Sequence, residues 1–165
     1  MTRRDFLIGA AGVALVAAAF GWRRGLAEAP AETFEVMLSD DEWRARLSKP
    51  QFAVLREEAT EPPWTSALLD EHRAGIFHCA GCELALYDAA TKYDSGTGWP
   101  SFWEALPAAV GTRQDRSFGI RTEVHCARCG GHLGHIFDDG PPPTGKRHCI
   151  NGVSLAFVPG TDAQG

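Results

Sequence analysis

The sequence predicts a β-rich domain with short helices in front of it, of the mainly β or α+β class. From Ile76 onward, glycine, aromatic and β-branched residues dominate, turns are frequent, and apolar residues do not recur at the helical period. Before Ile76, two short segments carry the signals with which helices begin. The length of 165 residues, with 44% apolar and 22% charged residues, fits one globular domain.

Residues 1–31 are predicted to be a twin-arginine signal peptide that lies outside this domain. The pair Arg3-Arg4 precedes an apolar run over residues 6–22, and Ala29-Pro30-Ala31 supplies the small residues for cleavage after position 31. The alternative is a retained membrane anchor, because about 17 apolar residues can just span a bilayer. We expect export by the twin-arginine route to the periplasm, with a membrane contact only through an uncleaved signal, and a mature domain of residues 32–165.

The charge of the chain argues against nucleic-acid binding. Residues 1–31 hold four of the 16 basic side chains and two of the 21 acidic ones. The net charge therefore changes from −5 for the whole chain to −7 for residues 32–165. An excess of negative charge repels the phosphate backbone.

Three short helical segments are predicted before the β-rich part. Ser39 and Glu42 have the spacing of a capping box, in which the serine hydroxyl accepts from the third helical N–H and the glutamate reaches back. Pro50 suits the first turn of a second helix, which Pro62-Pro63 would end. The predicted segments are 40–47, 50–58 and 66–71.

Six strands are predicted in the second part of the chain, each bounded by turn residues. They are residues 75–78, 84–87, 118–125, 132–137, 148–151 and 154–158. A stiff loop with three consecutive prolines, residues 141–143, leads into the strand at 148–151.

Four of the five cysteines form two Cys-x-x-Cys pairs, which together predict one structural Zn²⁺ site. Cys79 and Cys82 are the first pair, Cys126 and Cys129 the second, and four thiolates complete a tetrahedral site with no position open to water. Two disulfides or a redox-active pair are the alternatives, although a thioredoxin-like pair occurs once, between a strand and a helix. The long segment between the pairs predicts that the metal clips together two distant parts of one sheet.

Once zinc has taken four thiolates, only Cys149 is left, and it is the candidate nucleophile. On a strand, Arg147, Cys149 and Asn151 share one face, which gives the thiol a cation that lowers its pKa and an amide that can donate or accept a hydrogen bond. His132 and His135 supply imidazoles, one of which could carry a proton to a departing oxygen. Taken singly, each of these side chains is more often a satisfied core or surface residue, and it is their combination that favours a reactive site.

Four ordered segments resemble the B-type peptide-methionine (R)-S-oxide reductases. They are residues 92–102 (KYDSGTGWPSF), 132–137 (HLGHIF), 140–145 (GPPPTG) and 147–151 (RHCIN). The resemblance spans residues 39–159 and includes both Cys-x-x-Cys pairs. It implies a fold of two antiparallel sheets, and thiol-based reduction of the R epimer of protein-bound methionine sulfoxide, a repair reaction under oxidative stress.

The same resemblance implies a role for each candidate residue. Cys149 matches the catalytic cysteine, His132, His135 and Asn151 the active-site polar residues, Arg147 the basic neighbour, and Trp99 the indole that binds the substrate methyl group. The Cys149 thiolate would attack the sulfoxide sulfur while a histidine protonates the oxygen, which leaves a sulfenic acid on Cys149. The alternative for Trp99 is plain core packing.

One departure from the family pattern changes the expected mechanism. Many members carry a resolving cysteine at the position of Thr97, and the four paired cysteines are engaged by zinc. We therefore expect an external, thioredoxin-like thiol donor to reduce the Cys149 sulfenic acid directly. Gly152, where the family often has serine, leaves the assignment intact. We expect a monomer that acts on oxidised proteins.

Two other functions compete with this interpretation. A non-catalytic zinc-ribbon interaction module gives no reason for Trp99 and two histidines to gather near a thiol. A thiol peroxidase or disulfide oxidoreductase would need a peroxide-activating Arg/Thr pocket or a second redox cysteine, and the latter is absent from the sequence.

Overall fold

The computed structural model describes residues 32–160. The predicted signal peptide, residues 1–31, lies outside these residues. The described part begins at position 32, which directly follows the predicted cut. Among the described residues, no helix is both long enough and apolar enough to cross a membrane.

Short helices open the described chain at the positions that the capping signals predicted. They are α1 (Asp40–Arg46), α2 (Lys49–Glu57) and a 3-10 helix (Ala67–Asp70). Ser39 and Glu42 form the predicted capping box. Ser48 and Gln51 form a second one, which starts α2 one residue before Pro50.

Nine strands follow, and every strand pairing in the described chain is antiparallel. They are β1 (Gly75–Cys79), β2 (Ala85–Asp88), β3 (Lys92–Tyr93), β4 (Ser101–Phe102), β5 (Val110–Asp115), β6 (Arg121–Cys126), β7 (His132–Phe137), β8 (Arg147–Ile150) and β9 (Leu155–Pro159). One sheet has the order β2-β1-β9 and the other β3-β4-β8-β7-β6-β5. The predicted mainly β class with two antiparallel sheets is confirmed.

Three strands were not predicted, and of the six that were, only 132–137 has the predicted bounds, while the other five differ by one to three residues. β3 and β4 have two residues each, too few to show a strand period, and β5 is mostly polar because it lies at a sheet edge. β6 begins at Arg121 rather than at 118, since the preceding residues form the turn of a β5–β6 hairpin. β8 ends at Ile150, so Asn151 lies just beyond the strand and precedes a 3-10 helix (Gly152–Ser154).

Aromatic side chains pack the two sheets together. Phe77 of β1 and Phe102 of β4 are fully buried, with ring centroids 5.0 Å apart. Tyr87 of β2 stacks on Phe102 at 4.4 Å. Burial of each such side chain is worth on the order of 2 kcal/mol. The three-stranded sheet is therefore packed firmly against the six-stranded sheet, whose strands carry the candidate site.

Candidate active site and metal centre

The four paired cysteines converge on one point. The sulfur atoms of Cys79, Cys82, Cys126 and Cys129 all lie within 4.8 Å of one another. Cys79 Sγ is 3.8 Å from Cys129 Sγ, and Cys82 Sγ is 3.5 Å from Cys126 Sγ. A tetrahedron with Zn–S bonds of about 2.3 Å requires sulfurs about 3.8 Å apart. The donor set therefore fits one metal ion of zinc's size.

The metal centre joins the two sheets, not two parts of one sheet as predicted. Cys79 ends β1 of the three-stranded sheet, and Cys126 ends β6 of the six-stranded sheet. The sequence does not reveal this because the strand partners of β1 and β6 depend on long-range pairing. A metal here would act as a clip between sheets.

The helices cover the metal centre from outside. A Cβ atom added to Gly81, between the first two cysteines, would lie 3.5 Å from both Trp43 of α1 and Leu55 of α2. The Arg56 guanidinium donates a hydrogen bond of 3.1 Å to the carbonyl of Cys129. The apolar faces of the two helices thus shield the sulfur cluster from water.

Cys149 lies in the middle of the six-stranded sheet, apart from that cluster. It pairs with Ser101 of β4 on one side and with His135 of β7 on the other. A cavity of about 130 Å³ opens over it. The cavity is lined by Thr60, Trp99, Arg121, Gly134, His135, Phe137, Cys149 and Asn151. Its size suits the end of one side chain.

Gly134 allows β7 to approach Cys149 closely. A Cβ atom at this position would lie 2.0 Å from the carbonyl oxygen of Cys149. The β6–β7 register also shifts here, between Val124 and His125. Gly134 therefore helps to set the position of the His135 imidazole relative to the Cys149 thiol.

Trp99 and Asn151 are held in place by Glu61, which sequence reasoning did not identify. The Trp99 indole N–H donates to the Glu61 carbonyl at 3.0 Å, and the Glu61 N–H donates to Asn151 Oδ1 at 3.0 Å. The buried Glu61 carboxylate accepts from the Gly152 and Val153 N–H groups. Burial raises its pKa, and the Gly152 hydrogen bond opposes the rise. Glu61 lies 38 positions from Trp99 and 90 from Asn151, so no local sequence signal marks its contact with them.

The two histidines occupy different layers. His135 lines the cavity, and its Nε2 lies 2.8 Å from Asp115 Oδ2. His132 is buried behind it, with ring centroids 5.4 Å apart, and pairs with Glu123 at 2.8 Å. Burial alone would raise the pKa of Glu123, but hydrogen bonds from His132 and Arg113 lower it to about 2. Glu123 is therefore an anion that fixes His132.

Arg147 lies beside the cavity rather than in it. Its guanidinium makes two hydrogen bonds of 2.9 Å to Asp139 and lies 4.3 Å from the centre of the Phe137 ring. Burial raises the pKa of the Cys149 thiol, and Arg147 only partly offsets the rise. Burial thus outweighs the cation, and the lowered thiol pKa expected from the sequence is not the net result.

The structure brings four of the six predicted reactive-site residues into one cavity: Cys149, His135, Asn151 and Trp99. The Arg121 side chain also lines this cavity. The sequence did not predict this, because β6 appeared to be an ordinary strand. Fold and sites together define a class of protein: a two-sheet β domain with a four-cysteine metal clip and a separate single-cysteine pocket.

A sequence profile of the SelR domain matches residues 47–159 of the chain. The chain therefore belongs to the SelR domain family, and the predicted resemblance is confirmed.

Several curated relatives carry the name peptide methionine sulfoxide reductase MsrB. The protein from Leifsonia xyli is 53% identical over 129 residues, which are 76% of this chain and 93% of the relative. That from Thiobacillus denitrificans is 53% identical over 123 residues, 73% of this chain and 93% of the relative. The chloroplastic peptide methionine sulfoxide reductase B1 of Oryza sativa is 48% identical over 124 residues, 74% of this chain and 58% of the relative.

Proposed function

We propose that this protein is a thiol-dependent peptide methionine sulfoxide reductase that acts on the R epimer, with Cys149 as its nucleophile. The observation that carries the proposal is the cavity itself, in a chain that belongs to this family. A single cysteine lies beside an indole wall, Trp99, and an imidazole, His135. Trp99 offers an apolar face to the substrate methyl group, while the imidazole faces the polar oxygen.

The chemistry transfers oxygen from the substrate to Cys149. The sulfur of Cys149 attacks the sulfoxide sulfur, and His135 donates a proton to the sulfoxide oxygen. The hydroxyl then moves from the substrate sulfur to the Cys149 sulfur, and the S–S bond formed in the attack breaks, so that the thioether leaves reduced by two electrons. Cys149 is oxidised by two electrons to a sulfenic acid, which retains the oxygen and the proton.

The proton that His135 donates comes from the thiol. Burial lowers the pKa of His135 and raises that of Cys149, so both groups are neutral in the resting cavity. Transfer of the thiol proton to the imidazole produces the thiolate and the acid in one step, with no change in total charge. His135 therefore fits this role better than His132, which does not line the cavity.

The sulfenic acid is reduced by an external thiol of the thioredoxin type. At the position where many family members have a resolving cysteine, Thr97 Oγ1 lies 4.0 Å from Cys149 Sγ. The other four cysteines lie together in the metal cluster. The donor forms a mixed disulfide with Cys149, releases water, and is resolved by its own second thiol. The domain acts as a monomer in this account.

The metal of the four-cysteine cluster is Zn²⁺. Four soft thiolates in a closed, tetrahedral arrangement favour zinc or iron, and zinc has no redox chemistry of its own. Residues Cys79, Cys82, Cys126 and Cys129 would hold it, and the bound ion would keep them as thiolates. Metal analysis of the purified protein should give one equivalent of zinc per chain, and a stoichiometry far below one contradicts the assignment.

The protein is exported to the periplasm by the twin-arginine route, with residues 1–31 removed. The Arg3-Arg4 pair, the apolar run and the small residues at 29–31 support this proposal, as does the start of the family match at residue 47. Twin-arginine signals carry folded proteins, so the four thiols could bind metal before they meet an oxidising compartment. A cell fractionation with N-terminal sequencing tests it: a cytoplasmic protein that keeps residue 1 contradicts it.

The function is tested with two dabsyl-methionine sulfoxide epimers and hydrogen peroxide, each with dithiothreitol as reductant. We expect turnover of the R epimer only. Reduction of peroxide alone would indicate a thiol peroxidase, and no turnover of either epimer with zinc bound would leave a non-catalytic module.

A further inference from the structure

Three hydroxyl groups connect the Cys149 sulfur to a backbone carbonyl. Ser95 Oγ lies 2.8 Å from Thr97 Oγ1 and 2.7 Å from Ser101 Oγ. Ser101 Oγ is 3.2 Å from the Trp99 carbonyl, to which it donates, and Thr97 Oγ1 contacts Cys149 Sγ at 4.0 Å. Ser101 is fully buried, so water does not compete for its hydroxyl. The Cys149 sulfur and the three hydroxyl groups therefore form one continuous chain that ends at the Trp99 carbonyl.

Each hydroxyl has one proton to donate, which leaves two complete arrangements. When the sulfur is protonated, Cys149 donates to Thr97, Thr97 to Ser95, Ser95 to Ser101, and Ser101 to the carbonyl. When the sulfur is ionised, every hydroxyl turns round. Ser101 then donates to Ser95 instead of the carbonyl, Ser95 donates to Thr97, and Thr97 donates to the thiolate. The thiol proton leaves the sulfur for solvent or for His135, and within the chain itself the O–H groups only rotate.

We propose that Thr97 and Ser95 form a reversible hydroxyl chain that stabilises the Cys149 thiolate, with Thr97 in contact with the sulfur and Ser95 as a positioning residue behind it. The inference rests on the proposed function only in taking Cys149 as the nucleophile. In the ionised arrangement all three O–H dipoles point toward the anion, and hydrogen bonds to a charged group are roughly twice as strong as neutral ones. The chain thus works against the burial that raises the thiol pKa.

Other charged or titratable groups also face the sulfur, and a test must leave them unchanged. Arg147 precedes it on β8, Asp139 lies in the loop before, and Tyr93 is on β3. His135 on β7 and Arg121 on β6 line the same cavity. Variants confined to residues 95 and 97 alter none of these charges.

The test measures the pH dependence of Cys149 alkylation by iodoacetamide, followed by mass spectrometry of the Cys149 peptide. Thr97→Val should raise the thiol pKa by about one unit, which lowers the alkylation rate near neutral pH about tenfold. Thr97→Ser, which keeps the hydroxyl, should retain the parental profile. Ser95→Ala should lower the rate about threefold, since Thr97 still donates to the sulfur while the two hydroxyls behind it are removed or cut off.

The coupling between the two positions separates a chain from simple packing. In the Thr97→Val background, Ser95→Ala should have no further effect, because Ser95 is then cut off from the sulfur. An equal effect in both backgrounds, or a parental profile for Thr97→Val, overturns the proposal. Thr112→Val, on the exposed part of β5, is the control. Alkylation needs no sulfoxide, so the outcome does not depend on whether the R epimer is reduced.

Discussion

At the scale of single residues, neighbours distinguish Cys149 from the other four cysteines. Four sulfurs lie close enough to share an ion, whereas Cys149 has a hydroxyl, a guanidinium and an imidazole around it. Because burial keeps its thiol neutral at rest, its reactivity depends on a proton acceptor at the moment of reaction. His135 is placed for this.

Gly152 shows how a departure from the family pattern is accommodated. A Cβ atom at Gly152 would lie 1.8 Å from Ser66 Oγ, so the Ser66 hydroxyl fills the space that a serine at 152 would need. Ser66 also caps the 3-10 helix by accepting from the Leu68 N–H at 3.1 Å.

We predict that Gly152→Ser lowers the free energy of unfolding by about 1–3 kcal/mol through overpacking. Ser66→Gly alone should cost only a few tenths of a kcal/mol, because glycine caps almost as well as serine. The double variant should be more stable than Gly152→Ser. Urea denaturation measures all three, and strictly additive losses would show that the two positions do not compete for space.

At the scale of elements, the β5–β6 hairpin supplies the hydrogen-bond partner of the His135 imidazole. Asp115 ends β5, and it accepts from the Ser117 N–H and from His135. Hydrogen bonds from Ser117, and then from His135, hold the pKa of Asp115 well below its usual range. The hairpin therefore fixes a carboxylate against the imidazole at the edge of the cavity.

The pH profile of Asp115→Asn tests this arrangement. Burial lowers the pKa of His135 and Asp115 raises it, so loss of the carboxylate should lower that pKa further. Activity falls at acid pH when His135 is already protonated and cannot accept the thiol proton. The acid limb of the pH–rate profile should move to lower pH, while the plateau rate falls about tenfold through lost orientation.

Asp138→Asn is the matched control, because Asp138 is an exposed aspartate whose ion-pair partner is Lys146. Its profile should follow that of the parent. An acid limb for Asp115→Asn that stays in place, or moves to higher pH, would rule out Asp115 as the partner that sets the His135 pKa.

Elements with a strong local signal could be predicted from the sequence, and those formed by long-range contacts could not. The strand at 132–137 has the predicted bounds, and the Ser39 capping box is present. β5 has a mostly polar sequence that matches no strand template, although its hairpin carries Asp115. Glu61 reaches the site only because the loop before Pro62 folds back on Asn151. The motifs marked the candidate reactive residues, but not the residues that orient them.

At the scale of the whole molecule, the cysteine cluster and the aromatic core join the two sheets at different places. Cys79 and Cys126 come from different sheets, and Phe77 and Phe102 pack between them. Structural zinc sites contribute folding free energy directly, because the unfolded chain does not preform the site. A metal held by these four cysteines would therefore stabilise the fold that holds Cys149 in place.

Metal removal should destabilise the whole domain. We predict that Cys126→Ser, or chelation under reducing conditions, lowers the melting temperature by on the order of 10 °C or more. Cys149→Ser should keep both the metal and the melting temperature of the parent. Circular dichroism with metal analysis measures both, and a metal-free protein that melts at the parental temperature contradicts a structural role.

The division of labour between the cysteines is tested most directly by one turnover without reductant. A stoichiometric excess of the R epimer is mixed with the metal-loaded protein, and product, sulfenic acid and metal are quantified together. We predict one equivalent of thioether per chain, a sulfenic-acid label on Cys149, unchanged metal content, and no product from Cys149→Ser. Product formation by Cys149→Ser at the parental rate, or a disulfide that includes Cys79 or Cys126 with loss of metal, would contradict it.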